Sequence, residues 1–114
     1  MTRSTARSAA AALVVAVVLA LASSVVEGTR LETQDWDCPP APMSCARPVV
    51  VVGFPFPYIS DFHGISPVNS ADLVGAALGM DHFHAAPFVA NVALYLALAA
   101  AVRALVRRAA RGRR

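Results

Sequence analysis

Two apolar runs near the ends of the 114-residue chain limit what it can fold into more than any other feature. The first, Ala9–Val26, holds 18 residues without charge, proline or glycine. As a helix it would measure about 27 Å, against a bilayer core of roughly 30 Å. Seven of its residues are alanines, which add little to insertion, so six valines and three leucines supply the drive. The second run spans Ala85–Val106, of which Ala86–Leu105 is 20 residues, enough to cross. Pro87 falls in its first turn, where a missing N–H costs nothing. Arg103 lies near the far end, where it can snorkel toward headgroups beside Arg107 and Arg108.

Charge follows the same division. Basic residues are all arginine, and eight of the ten flank the runs: Arg3 and Arg7 before the first, then Arg103, Arg107, Arg108, Arg111, Arg113 and Arg114. All seven acids lie between the runs, opposed there only by Arg30 and Arg47, which leaves the middle near −5. Arginines at both flanks hold those flanks in the cytoplasm and send the middle across. This placement explains the basic balance without nucleic acid as a partner. The chain then divides into a cytoplasmic N-terminus (1–8), a first transmembrane helix (9–26), an acidic extracytoplasmic loop (27–84), a second transmembrane helix (85–106) and a cytoplasmic arginine-rich tail (107–114). The expected destination is the cell membrane, with both termini cytoplasmic.

The first run also admits a reading as a secretory signal. Arg3 and Arg7 would form its charged region, and Ala20-Leu21-Ala22 fits the small-x-small cleavage pattern. Its apolar character continues past that site to Val26, longer than the usual 7–15 residues of a signal core, which favours an uncleaved anchor. Either way the following segment leaves the cytoplasm.

The loop carries seven of the chain's eight prolines, so most of it reads as irregular. Val49–Gly53 is a β-branched run that predicts a short strand. Phe54-Pro-Phe-Pro-Tyr58 predicts extended backbone, and with the apolar stretch after Asp72 it would rest on the membrane or on another protein. Asn69 or Ser70 would cap a short interfacial helix over Leu73–Met80. The expected fold is an α-helical membrane protein, a hairpin of two transmembrane helices joined by a largely irregular loop with a short strand and a short helix. A loop of about 58 residues holds a weak core and needs a staple or partner.

Two motifs in the loop carry chemistry. Cys38 and Cys45 flank a proline-rich turn in an oxidising compartment, which predicts an intramolecular disulfide; the spacing is not that of a redox C-x-x-C. His82 and His84 form an H-x-H pair beside Asp81, and Asp61-Phe-His63 partly echoes it. A zinc or copper site would need three or four of these groups to converge. The competing reading is that histidines with aromatic neighbours sit at the bilayer edge, apolar body inward and polar tip outward. No nucleophile elbow, phosphate loop or H-E-x-x-H pattern is present, so neither a catalytic residue, a cofactor nor a small-molecule substrate is expected.

Small residues recur every fourth position in both runs: Ser8, Ala12, Ala16, Ala20 and Ser24 in the first, Ala93, Ala97 and Ala101 in the second. Such stripes let helices approach closely, and packing drives association in lipid. Asn91 sits one turn past Pro87, two positions before the second stripe and about 160° from it. A side-chain amide there is costly in lipid unless it finds a partner or reaches the headgroups. Asn91 and the alanine stripe together therefore predict neighbours on two sides of the second helix, the first helix on one and a second copy or another membrane protein on the other.

Val51–Asp61 (VVGFPFPYISD) followed by Gly79–Val92 (GMDHFHAAPFVANV) resembles a family of small, uncharacterised, two-pass bacterial membrane proteins. That resemblance implies the fold and no activity. The expected function is that of a non-enzymatic accessory component of a membrane complex; the alternative is an extracytoplasmic metal-binding membrane protein using the loop histidines.

Overall fold

A computed structural model describes residues 2–33, 46–61 and 70–114. In chain order it comprises α1 (Arg3–Ala22), a 3-10 turn (Ser23–Val25), β1 (Glu27–Thr33), β2 (Ala46–Val52), β3 (Ile59–Asp61), α2 (Leu73–Ala77), β4 (Asp81–Phe83) and α3 (Ala85–Gly112). The molecule measures 70 × 29 × 23 Å, with α1 and α3 side by side and a small sheet at one end.

Both long helices extend past their apolar runs at the arginine-bearing end, while α1 stops at Ala22, short of Val26. α1 begins at Arg3 rather than Ala9, and α3 continues to Gly112, six residues past Val106. Charge marks where an apolar run stops, but arginine and alanine are good helix formers, so the hydrogen-bond ladder continues through them. Helix α1 with its 3-10 turn, and α3, are each long and apolar enough to cross a membrane. Pro87 occupies the third position of α3, inside the first turn as expected.

The described part of the connecting segment carries four strands where its sequence predicts one. It folds as an antiparallel sheet in the order β1-β2-β3-β4. β1 pairs β2 along all seven residues, from Glu27↔Val52 to Thr33↔Ala46. β2 joins β3 through Val51↔Ser60 and Val52↔Ile59, and β3 joins β4 through Ile59↔Phe83, Ser60↔His82 and Asp61↔Asp81. Pro48 is tolerated in β2 because it lies where the strand is flanked by β1 and not yet by β3. The core is Val52, Tyr58, Ile59 and Ala71, with Val50, Leu73, Ala76 and Phe88 packed against it. Phe88 belongs to α3, so the sheet shares its core with the long helix.

α2 is shorter than predicted and its cap differs. Asp72, not Asn69 or Ser70, caps it: the Asp72 carboxylate accepts from the Gly75 N–H. Its end is closed by Gly79 at φ +75°, where the Met80 N–H donates to the Gly75 carbonyl and the Gly79 N–H to that of Ala76. This is the paired arrangement that glycine permits just past a helix.

Gly53 turns the chain out of β2. Its φ is +120°, and a Cβ placed there would lie 2.5 Å from the Tyr58 ring. Backbone and space thus both demand glycine. Gly53→Ala should destabilise the protein by about 1–3 kcal/mol, read as a lower denaturation midpoint in detergent. An unchanged midpoint would contradict this geometry.

Candidate functional site at the helix–sheet junction

The segment between β2 and β3, Phe54–Pro57, passes between the adjoining ends of α1 and α3. An aromatic-proline segment cannot satisfy its own backbone through a ladder, so side chains from the helices do it. The Phe56 N–H donates to Asn91 Oδ1 at 3.0 Å, and Asn91 Nδ2 donates to the Phe56 carbonyl at 2.7 Å. The Phe54 N–H donates to Ser23 Oγ at 3.2 Å, and the Tyr95 hydroxyl donates to the Phe54 carbonyl at 2.5 Å. Asn91 and Tyr95 are one turn apart on α3, hence on one face. Ser23 Oγ also donates to the Ala20 carbonyl at 2.6 Å.

Tyr58 completes the clasp. Its hydroxyl donates to the Ala20 carbonyl at 2.7 Å, at the end of α1, and its own carbonyl accepts from the His84 N–H at 2.7 Å. Its ring meets Phe83 and Phe88 edge-on, at centroid distances of 5.8 and 5.0 Å. This geometry suits the aromatic quadrupole. Burial pushes the Tyr58 phenol above its ordinary range, against the opposing effect of the Ser23 and Ser24 hydroxyls, so it stays a neutral donor. While these backbones are held inward, the Phe54 and Phe56 rings point out, 55% and 49% exposed.

Asp61, Asp81 and His82 sit on the sheet next to this clasp, and His84 follows β4 at the start of α3. Asp61 and Asp81 face each other across β3 and β4 and are both buried, 3% and 9% exposed. Asp81 Oδ2 accepts from the Asp72 N–H at 3.1 Å, and Gly75 leaves the room its carboxylate occupies. His84 Nε2 is 2.9 Å from Ser60 Oγ, and the His82 and His84 rings lie 6.3 Å apart. Among the described residues no three His, Cys, Asp or Glu side chains come together in metal-binding proximity. His63, Cys38 and Cys45 lie outside the described residues.

The small-residue stripes are placed differently on the two helices. Ala16 and Ala20 are buried, and Ala12 is half-buried, where α1 runs along α3. Ala93, Ala97 and Ala101 are exposed. Asn91 is fully buried, and its partner is the Phe56 backbone of its own chain rather than a neighbouring helix. A bidentate amide–backbone pair removes the need for an outside partner at that position.

The sequence reading missed Ser23, Tyr58 and Tyr95. The available signal was the spacing of Asn91 and Tyr95, two hydrogen-bonding side chains at i and i+4 on an otherwise apolar helix. The comparisons add no assignment: no family model, curated protein or solved structure matches the chain.

Asn91→Leu should leave both Phe56 backbone groups unpaired and destabilise the protein by about 1–3 kcal/mol. Tyr58→Phe, which removes one hydrogen bond and keeps the ring, should cost about 1 kcal/mol. Both are measurable as denaturation midpoints in detergent. An Asn91→Leu protein as stable as the parent would show that the clasp does not hold the sheet.

Proposed function

We propose that the chain is a small integral membrane protein, a two-helix hairpin that carries its sheet outside the cytoplasm and acts by contact within a membrane complex, without catalysis. The observation that carries this reading is the outward display of the apolar side chains. Leu13, Val14, Val18, Val89, Leu98 and Val102 are all exposed, while Ala16 and Ala20 of α1 are buried and Ala12 is half-buried. Only 17% of the apolar window of α1 and 6% of that of α3 are buried within the chain. Two long helices with their leucines and valines outside and small residues between them suit a hydrocarbon solvent.

Charge supports the orientation. Antiparallel packing brings Arg3, Arg7, Arg107 and Arg108 to the end opposite the sheet. That distribution favours cytoplasmic termini in the cell membrane. A reporter active only in the cytoplasm should give signal when fused after Arg114 and none when inserted beside Asp61. The reverse pattern would overturn the orientation.

The exposed stripe of Ala93, Ala97 and Ala101 supports contact with another helix, from a partner protein or a second copy, since the hairpin itself leaves it uncovered. Ala97→Ile should weaken that association by about 1–3 kcal/mol, the scale of an overpacked contact, with little effect on the denaturation midpoint. Energy transfer in bilayers at low protein density, or recovery of a co-purifying partner, measures it. Indifference of both to the substitution would remove the stripe from the interface.

A further inference from the structure

At the end remote from the sheet, α1 and α3 line an open cleft of about 890 Å³. This is within the size range of small-molecule sites, roughly 300–1,000 Å³. Its lining changes character along the helix axes. The part nearer the sheet is apolar, formed by Ala12 and Leu13 of α1 and Leu96, Ala99 and Ala100 of α3. The mouth is polar, formed by Ser4, Thr5 and Ser8 of α1 and Arg103 and Arg107 of α3. Arg103 Nη1 donates to Ser8 Oγ, which ties the guanidinium across the mouth. From the level of Ser4 to that of Ala12 is eight residues, or about 12 Å along the axis.

Among the described residues the arginines of this mouth have no acidic side chain to pair with. Every Asp and Glu of the chain lies between Glu27 and Asp81, whereas the cleft is built from residues 4–13 and 96–107. The one hydrogen bond described for Arg103 goes to a neutral hydroxyl. A guanidinium at the edge of an apolar cleft is stabilised by an anion, and its planar donors match the oxygens of a phosphate. A free anion would use the mouth alone and leave the apolar floor without an occupant. A hydrocarbon chain attached to the anion fills both.

We infer that this cleft binds one anionic phospholipid, its phosphate on Arg103 and Arg107 beside the Ser4 and Ser8 hydroxyls, and one acyl chain along the floor of Ala12, Leu96, Ala99 and Ala100. Basic clefts between transmembrane helices on the cytoplasmic side are suited to such headgroups. The inference rests on the membrane-hairpin reading, with the arginine end in the cytoplasmic leaflet.

The test uses the full chain. Membranes are first washed with alkaline carbonate. The protein is then extracted, delipidated in a neutral detergent and offered phosphatidylglycerol or phosphatidylcholine, and bound lipid is counted by native mass spectrometry. The expected result is retention of one phosphatidylglycerol under conditions that strip phosphatidylcholine. R103Q/R107Q should lower that retention by roughly tenfold or more, because hydrogen bonds to charged groups are the strong ones. R111Q/R113Q removes the same charge outside the cleft and should retain the lipid. A100F fills the floor and should also lower retention with both arginines in place.

Equal losses from the two arginine pairs would reduce the effect to general electrostatics and overturn the site. Retention unaffected by A100F, or displacement of the lipid by inorganic phosphate at comparable concentration, would show an anion site without a chain. A lipid-free dimer would assign the cleft to a second copy. Loss of the wild-type protein from carbonate-washed membranes would overturn the hairpin reading itself, whereas a retained protein without lipid preference overturns this inference alone.

Discussion

The structure depends on how the backbone of Phe54–Pro57 finds its hydrogen bonds. Two prolines in four residues remove donors and prevent a ladder, yet the segment runs between two helix ends where its polar groups are partly buried. Asn91, Tyr95 and Ser23 supply the missing partners, and Tyr58 reaches back to the last turn of α1. These contacts join α1, the sheet and α3 at one place. Without them the hairpin would hold only an alanine seam, and a sheet whose core cluster is Val52, Tyr58, Ile59 and Ala71 would have little to rest against.

The helices were legible because their signal is long and depends on few exceptions. Eighteen uncharged residues, and twenty interrupted near one end by Arg103, leave little alternative to helix at this composition. β2 was legible in part, from its run of valines. β1 was not: Glu27-Gly-Thr-Arg-Leu-Glu-Thr33 has one large apolar residue and no alternation, and it becomes a strand because β2 offers it a full seven-residue edge. β3 and β4 have three residues each, too short to carry a period, and exist by pairing, β3 with β2 and β4, and β4 with β3.

The junction was half legible. Asn91 stands out in an apolar helix as an amide that needs a partner, and the sequence led to another helix as that partner. The structure supplies a backbone instead, because Phe54–Pro57 loops back over the start of α3. No local pattern carries that information, since Phe56 and Asn91 are 35 positions apart. The cap of α2 went astray for a similar reason. Asn69, Ser70 and Asp72 are all competent caps by residue type, and Asp72 is held in place by Asp81 across the turn.

The connections between helices and sheet are nearly absent. Val26 alone separates the 3-10 turn from β1, and His84 alone separates β4 from α3. Both are further fixed by backbone hydrogen bonds, Gly53 N–H to the Val26 carbonyl and His84 N–H to the Tyr58 carbonyl. Such joints have no slack in which to absorb a rotation. In the proposed hairpin, a change of helix tilt therefore turns the sheet as a rigid lever, and the exposed Phe54 and Phe56 rings swing with it. A thicker or thinner bilayer, which changes tilt, would be felt outside the membrane as a reorientation of that aromatic surface.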